Sequence, residues 1–476
     1  MEFDFNDAMK IIHDAEKLGS IMGTETMKQL LFLLDNPQDK LKTIHIAGTN
    51  GKGSTLAMIS TILTNAGYRV GRYISPTLIT YLERIQINGE YITETEFTNV
   101  IYKIKLAMDK MVDMNCFLPT AFEIETAASF LYFYEMKCDF VVIETGLGGT
   151  FDATNVIKKP LCCVLTSIGM DHMGILGNSL SEIAANKAGI IMNDSNVIST
   201  LQDDSAMNVI KEKCINTSSS FFLSDYQSLV SDIKYESSIE KENININNKS
   251  KNHINNIYKD VDKDHDMLTY NHKIHGKIKL RLLGRYQIIN SCLAISCIDV
   301  LNKLGYNISE QAIKTGLSET EWFGRFTKIS TTPLFFVDGA HNRPAALVLA
   351  ETIDACLDKV SLGTSKLVYI MGVFKDKDYQ SIIDILIPKA DKVFTIATPD
   401  NPRAMDSLEL AKIINASGCN HLQDNDIAYA CSSIKEAVKL ATEYNNGDVA
   451  VVAFGSLSHL YKIKEALSEW RKNDNR

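Results

Sequence analysis

The strongest chemical signal in the sequence is a glycine-rich run of eight residues, Gly48-Thr49-Asn50-Gly51-Lys52-Gly53-Ser54-Thr55. It lies between a predicted strand over 43–47 and a predicted helix over 53–66. Such a turn points several backbone N–H groups into one concavity at the positive end of a helix. Lys52 adds a cation for phosphate oxygens, and Ser54 or Thr55 adds a hydroxyl for Mg²⁺. The run predicts a nucleotide phosphate site, although Gly53 separates the lysine from the hydroxyl residues.

Further polar residues follow predicted strands in the same half of the chain. Glu144 ends the apolar strand 140–144, and His172 follows the strand 162–166. Because open parallel sheets bind ligands at the carboxyl ends of their strands, Glu144 is a candidate Mg²⁺ ligand. His172 is either a ligand or an ordinary histidine of the surface or the core. Lys187 lies on a predicted helix and would by default be solvated; Gly189 weakens a guanine-binding N-K-x-D interpretation.

A second set of polar turns occurs in the last third of the sequence. Phe323-Gly324-Arg325 precedes a strand, and Asp338-Gly339-Ala340-His341-Asn342 follows the strand 334–337. The segment 372–378 follows the strand 366–371 in the same way. These turns predict a polar site at one sheet edge. Simple helix capping by Asp338 or Asn342 is the alternative.

The order of predicted elements indicates two α/β domains in the 476 residues. We expect a larger first domain over 1–315, with a parallel-sheet core, and a smaller second domain over 320–476. An asparagine-rich segment over 231–270 interrupts the first domain. Its composition is typical of a mobile surface insertion rather than of a recognition element.

Composition excludes several classes of protein. Hydrophobic residues make up 45% and charged residues 22%, which excludes fibrous and wholly disordered chains. The net charge of −9 argues against broad attraction to nucleic acid or an anionic membrane. The apolar runs are short and the N-terminus is acidic, so neither a membrane span nor a signal peptide is expected, and the protein should be soluble and cytoplasmic. Ten scattered cysteines without a C-x-x-C pair are expected to be reduced, mostly buried thiols.

Taken in order, the motifs resemble the folylpolyglutamate synthase/dihydrofolate synthase family of the Mur-ligase superfamily. The matching strings are GTNGKGST, SPTLITYLERIQING, TAFEIETAASFLYF, ETGLGGTFDATN, TSIGMDHMGILGNSLSEIAANKAGI, WFGRF, DGAHN, GVFKDKD and FGSL. The resemblance implies an N-terminal P-loop Mur-ligase-type ATPase domain followed by a smaller Rossmann-like C-terminal glutamate-ligase domain.

The resemblance also implies roles for individual residues. ATP would contact Asn50, Gly51, Lys52, Gly53, Ser54, Thr55, Asn290, Arg325 and Asp338. Two Mg²⁺ ions are implied, one held by Ser54, Ser75 and Glu144, the other by Glu144, His172 and Lys187. Lys187 would be carbamylated, which turns a cation into an oxygen donor. Lys52, Lys187 and His341 would serve the chemistry, with Arg325 on phosphate and Asp338 on the ribose.

The implied reaction is ATP-dependent amide formation. A carboxylate of folate or dihydropteroate would attack the γ-phosphate, and the amine of L-glutamate would displace phosphate from the acyl phosphate. The family also implies a monomer.

The sequence departs from the family pattern at four positions, Thr77, Thr150, Asn186 and Tyr286. The first two concern the specificity or efficiency of binding on the pterin side of the folate. A Mur-type ligase for another acid remains an alternative, as does a non-enzymatic nucleotide-controlled module that uses only residues before 230.

Overall fold

The computed structural model describes residues 3–17, 19, 23–236, 266–356, 366–399, 401–417 and 426–474. The chain divides into two compact units. The first comprises Met1–Ser231, Asn271–Ile278 and Ile288–Thr320, and the second comprises Asp232–Tyr270, Lys279–Gln287 and Glu321–Arg476. The division after Thr320 lies beside the expected domain boundary. Two segments expected in the first domain instead belong to the second unit, where Leu283 packs in the same core as Phe326 and Phe336.

The first unit contains an eight-stranded, mostly parallel sheet. Its strands, in chain order, are β1 Thr43–Ala47, β2 Val70–Tyr73, β3 Ile85–Ile87, β4 Glu90–Tyr91, β5 Phe140–Glu144, β6 Cys162–Leu165, β7 Asn196–Thr200 and β8 Ser220–Ser224. The spatial order is β4-β3-β2-β5-β1-β6-β7-β8. β1 lies between β5 and β6, is parallel to both, and is buried throughout. Central parallel strands of this kind are apolar runs because both sheet faces are covered.

The chain up to Thr320 also contains the following helices. In chain order they are α1 Phe5–Glu16, α2 Glu25–Leu33, α3 Lys52–Asn65, α4 Glu94–Asp113, α5 Ala121–Glu135, α6 Leu180–Lys187, α7 Asp204–Asn216, α8 Tyr226–Leu229, α9 Gln287–Lys303 and α10 Glu310–Glu319. Capping boxes define the starts of α4, α5 and α6, where Thr93, Thr120 and Ser179 each pair with a glutamate three residues later. One apolar core packs on α1, α2, α4 and α5, and a separate one lies against α6 and α7.

The second unit contains a six-stranded sheet. Its strands are β12 Thr327–Thr331, β13 Leu334–Val337, β14 Lys366–Met371, β15 Lys392–Thr395, β16 Ala428–Ala430 and β17 Val449–Phe454, in the spatial order β12-β13-β17-β14-β15-β16. Its helices are α11 Arg343–Cys356, α12 Tyr379–Leu386, α13 Ser407–Ala416, α14 Ile434–Glu443 and α15 Leu460–Asp474. Leu334 and Phe336 face one core while Phe335 and Val337 face another, so β13 is buried on both sides. The strands β12 and β16 were not predicted from the sequence.

A small sheet changes the interpretation of the asparagine-rich segment. β9 Val230–Glu236, β10 Met267–His272 and β11 Gly276–Leu280 form a three-stranded sheet in the order β11-β10-β9. Both ends of the predicted insertion 231–270 are therefore strands, and those bounds were too wide. β9 was missed because its residues are mostly polar and exposed. The middle of the predicted insertion, residues 237–265, lies outside the described residues.

Replacing residues 237–265 with a short Gly/Ser linker is expected to leave the melting temperature and the ligase activity nearly unchanged. The change keeps β9 and β10, including the bond from the Thr269 hydroxyl to the Lys234 carbonyl, and loop closure depends only weakly on loop length. Thermal melting and activity of the full chain check this. A replacement that also removes 231–236 should be clearly destabilising, and equal loss in both variants would contradict the prediction.

The cysteines agree with the sequence analysis as far as the structure describes them. Nine are free thiols, and six of these, Cys162, Cys163, Cys214, Cys292, Cys297 and Cys431, are buried. Burial raises the pKa of Cys163 to about 12 and that of Cys214 to about 11. Cys419 lies outside the described residues. Across the described residues, the helices are all too short or too polar to span a bilayer.

Candidate functional site

The phosphate-loop candidate connects β1 to α3, which begins at Lys52. Gly51 precedes the helix with φ +90°, and Gly48 has φ +154°. A Cβ on Gly51 would lie 2.5 Å from Asn290 Oδ1, and one on Gly48 would lie 1.8 Å from Thr166 Oγ1. Glycine is therefore required at both positions. The structure also places the side chain of Asn290, at the start of α9, beside Gly51, and its predicted contact with ATP stays a prediction.

Two lysines converge on the carbonyl at the start of this loop. Lys52 Nζ donates to Gly48 O at 3.0 Å and to Thr49 O at 3.4 Å. Lys187 Nζ, at the end of α6, donates to the same Gly48 O at 2.9 Å. Lys187 is only 4% exposed, so the default expectation of a solvated lysine was wrong. Burial and the charge of Lys52 lower the pKa of Lys187 to about 7, although nearby aspartates act in the opposite direction.

A buried carboxylate lies at the end of the neighbouring strand. Glu144 is 3% exposed, and its Oε1 accepts a hydrogen bond from Ser75 N at 2.8 Å. Ser54 is buried in the first turn of α3. Carboxylate and hydroxyl oxygens are donors that Mg²⁺ prefers. Of the three residues predicted for the first metal, the structure thus places Ser75 directly beside Glu144.

The histidine candidate lies on the loop after β6. His172 has φ +51°, its side chain is 43% exposed, and its Nε2 lies 3.9 Å from Asp171 Oδ2. Within the described part of the chain, no group of three or more His, Cys, Asp and Glu side chains is placed to hold a metal. The predicted ligand set contains just two such side chains, Glu144 and His172. The metal roles of Ser54, Ser75, Glu144, His172 and Lys187 therefore remain predictions.

The loop after β5 is shaped by the carboxylate of Asp152, which was not predicted as a functional residue. Asp152 is buried, and it accepts hydrogen bonds from Leu147 N at 2.8 Å and from the Thr154 hydroxyl at 2.5 Å. Thr150, one of the departures from the family pattern, donates through its N–H and its hydroxyl to Asn186 O at 2.9 and 3.0 Å. These bonds fasten the loop to the turn of α6 that precedes Lys187. The polar run Asp152-Ala-Thr-Asn155 was the feature of the sequence that could have indicated this role.

In the second unit, one carboxylate organises the polar turns. Asp338 follows β13 and is buried. Its Oδ2 accepts from Phe326 N at 2.8 Å and its Oδ1 from Ala340 N at 2.8 Å. Burial raises the pKa of Asp338, whereas the charge of Arg325 opposes that shift. The side chain thereby ties the FGRF turn to the DGAHN turn, as the predicted convergence requires.

A tyrosine that departs from the family pattern completes this group. Tyr286 donates its hydroxyl to Asp338 Oδ2 at 3.2 Å. Burial and the Asp338 charge raise the pKa of Tyr286 well above its usual value. The ring of His341 lies with Nδ1 2.7 Å from Gly339 O. Asn342 Oδ1 accepts from Ala345 N at 3.0 Å, so the capping alternative is correct for Asn342 at the start of α11.

Replacing Asp338 with alanine is expected to lower the free energy of unfolding by about 3 kcal/mol, because it leaves buried donors without an acceptor. Urea unfolding of the full chain measures this. Asp378, which caps α12 through Ser381 N at 3.2 Å, provides the control: Asp378→Ala should cost about 1 kcal/mol. Equal losses in the two variants would show that the Asp338 bonds contribute no more than an ordinary cap.

Comparison with known proteins places both units. Residues 46–298 match the Mur ligase middle domain, and residues 324–457 match the Mur ligase glutamate ligase domain. The chain is 34% identical to the dihydrofolate synthase/folylpolyglutamate synthase of Bacillus subtilis over 472 residues, which is 97% of this chain and 99% of that protein.

Solved structures agree with the sequence matches. A Mycobacterium tuberculosis folylpolyglutamate synthase complexed with ADP aligns with a TM-score of 0.79 at 25% identity, covering 98% of each chain. A folylpolyglutamate synthase in complex with AMPPCP and folate aligns at 0.73 with 27% identity, covering 98% of this chain and 99% of that one. The expected fold is confirmed: a large, mostly parallel sheet followed by a smaller α/β domain. The chain belongs to the folylpolyglutamate synthase/dihydrofolate synthase family of ATP-dependent ligases in the Mur ligase superfamily.

Proposed function

We propose that this protein joins L-glutamate to the carboxylate of a folate, with ATP consumed through an acyl phosphate. The observation that carries the proposal is the phosphate loop with Lys52 and Lys187 on one carbonyl, in a chain that matches the family over nearly its full length. The acceptor carboxylate attacks the γ-phosphorus and ADP leaves. The amine of glutamate then attacks the acyl carbon, phosphate leaves, and the amine gives up a proton.

The proposed nucleotide contacts follow the geometry of each unit. Backbone N–H groups of Gly51, Gly53 and Ser54 would bind phosphate oxygens at the N-terminus of α3. Asn50 and Thr55 would contact the nucleotide through their side chains, because their N–H groups donate to Ser167 O and Gly51 O. The ammonium of Lys52 would neutralise charge that builds on the transferred phosphoryl group. Asn290, whose side-chain amide lies beside Gly51, would contact the nucleotide.

In the second unit, we assign Arg325 to phosphate, Asp338 to the ribose and His341 to the nucleotide or the reacting centre. The three donors on Asp338 leave part of its acceptor capacity for a ribose hydroxyl. The neighbouring Arg325 offers a guanidinium suited to bidentate binding of phosphate.

The donor set at the end of β5 fits magnesium. Ser54, Ser75 and Glu144 supply hydroxyl and carboxylate oxygens, and the bond between Ser75 N and Glu144 Oε1 shows that the last two lie together. We assign these residues to one ion, and Glu144, His172 and modified Lys187 to a second. Bound Mg²⁺ would supply charge stabilisation for the phosphoryl oxygens.

We also propose that Lys187 is carbamylated in the active protein. Its lowered pKa of about 7 leaves a substantial neutral fraction at neutral pH, and only a neutral amine can attack CO₂. The new N–C bond releases one proton and leaves an anion beside the ammonium of Lys52, which favours it electrostatically. An unmodified buried lysine that donates to Gly48 O is the alternative.

The decisive experiment offers two acceptors separately. Purified protein with ATP, Mg²⁺ and L-glutamate receives either dihydropteroate or a tetrahydrofolate, with ADP release and product mass as readouts. We expect glutamate-dependent ADP release and addition of one glutamyl residue. Turnover with neither acceptor, together with ligation of glutamate to another acid, would replace the proposal with the Mur-type alternative.

Dihydrofolate synthase activity is a second candidate, since the Bacillus subtilis relative carries both names. Dihydropteroate and tetrahydrofolate differ in whether a first glutamate is already present, so the same assay separates the two activities. Product from both acceptors would indicate a bifunctional enzyme. Product from tetrahydrofolate alone would restrict it to polyglutamylation.

A further inference from the structure

The segment 166–169, which directly follows β6, is hydrogen-bonded on one side to the side-chain amide of Gln202. Gln202 Oε1 accepts from Ile168 N at 3.0 Å, and its Nε2 donates to Thr166 O at 2.9 Å. These are the donor and acceptor that a neighbouring strand would engage. The backbone pairing of β6 with β7 ends at Leu165 and Ser199. The Gln202 amide therefore continues the ladder beyond the point where backbone pairing stops.

On its other side, the same segment holds the phosphate loop. Ser167 O accepts from Thr49 N at 2.8 Å and from Asn50 N at 3.2 Å. The Thr49 hydroxyl donates to Gly169 O and accepts from Gly169 N, both at 3.0 Å. The Thr166 side chain occupies the space beside Gly48. Four hydrogen bonds thus fix the loop to residues 167 and 169.

The loop depends on these external contacts for its shape. Two of its glycines, Gly48 and Gly51, have positive φ, and glycine has little conformational preference of its own. A phosphate site at a helix N-terminus works only when its N–H groups already point at the anion, because ordering them at binding would cost affinity. The segment 166–169 provides that order, and Gln202 is the side chain that bridges Thr166 and Ile168.

We propose that Gln202 is a positioning residue for nucleotide binding, acting through the backbone of Thr166–Ile168 on the phosphate loop. It need not touch the nucleotide. The inference depends on nucleotide binding and not on the identity of the acceptor acid, so it can be tested apart from the proposed ligase reaction. A purely structural role would lower thermal stability and leave nucleotide affinity unchanged.

The test measures ADP and AMPPCP affinity of the full chain by calorimetry. Gln202→Ala removes both bonds to the segment and should weaken binding about tenfold, the effect of hydrogen bonds together worth about 1.4 kcal/mol. The KM for glutamate should change by less than about twofold, as expected for an effect confined to the nucleotide step. Gln202→Glu, which places an acceptor against Thr166 O, should be no better than alanine. Gln311→Ala, at an exposed position of α10, is the matched control.

A second pair of variants tests whether Gln202 acts on the phosphate loop through residues 166–169. Thr49→Val removes the bonds to Gly169 from the loop side, whereas Thr49→Ser keeps the hydroxyl and should restore affinity. If both side chains act through one segment, the double variant Gln202→Ala/Thr49→Val should bind more tightly than the product of the single effects predicts. Unchanged affinity in Gln202→Ala, or strictly multiplicative effects, would overturn the proposal. Nucleotide binding without folate ligation by the unmodified chain would instead refute only the proposed function.

Discussion

Replacing Lys52 with alanine is expected to reduce ATP-dependent ligation by about 10³-fold, the scale seen when a preorganised group that stabilises transition-state charge is lost. Lys52 Nζ lies over the Gly48 and Thr49 carbonyls, at the point where β1 enters α3. A phosphoryl group in transfer spreads its charge over its oxygens, and catalysis rests on cations held ready for it. Alanine is a good helix former, so α3 should persist. Glutamate-dependent ADP release measures the loss.

The control for Lys52→Ala is Lys211→Ala, which removes the same charge from an exposed position on α7. This variant should keep full turnover, and circular dichroism should show both variants folded. Near-normal turnover in Lys52→Ala would mean that the loop Gly48–Thr55 is not the phosphate site. Loss in both variants would point to a general effect of net charge.

Replacing Lys187 with alanine is expected to abolish activity, with partial recovery in acetate or formate. The side chain is buried and reaches Gly48 O, so alanine leaves a space beside the phosphate loop that a small carboxylate can enter. The added acid would supply the oxygen donor that the proposed carbamate on Lys187 would supply in the protein without this substitution. Lys187→Gln fills the space with a neutral group and should not recover. Initial rates against acetate concentration measure the effect.

Two controls separate carbamylation from an ordinary buried lysine. Acetamide has nearly the shape of acetate without its charge and should fail to restore Lys187→Ala. Protein equilibrated with ¹³C-bicarbonate should show a carbamate carbon resonance that Lys187→Ala lacks. Absence of that signal in the protein that retains Lys187, together with no recovery by acids, would establish a plain lysine whose role is its bond to Gly48.

The sequence predicted the elements that are defined locally. The buried run TIHIA followed by glycines and a helix marks β1, the loop and α3 without reference to the rest of the chain. The starts of α4, α5 and α6 are also defined locally, because a glutamate follows three residues after Thr93, Thr120 and Ser179 and completes a capping box. Short polar strands such as β4, β9 and β16 carry no comparable pattern, since neither their composition nor their alternation separates them from loops.

The remaining features of the site depend on contacts between residues that are far apart in the sequence. Lys187 sits on an amphipathic helix and appears solvated in isolation, yet Gly149 lets the loop after β5 approach so closely that an added Cβ would lie 2.7 Å from Asn186 O. That approach buries the end of α6. Similarly, no local pattern connects Tyr286 with Asp338, which are 52 residues apart. The resemblance to a family named candidate residues at these places, and the tertiary contacts in the structure showed their partners.

The buried cysteines can be used to measure local unfolding of each unit. Alkylating reagents react with thiolates and not with thiols. Burial raises the pKa of Cys163 and Cys214 in the first unit, and it raises the pKa of Cys431 in the second unit to about 12. All three groups therefore stay protonated. Each becomes reactive only when its surroundings unfold, even briefly. Pulsed alkylation followed by peptide mass analysis would therefore time the opening of each unit separately, without any engineered label.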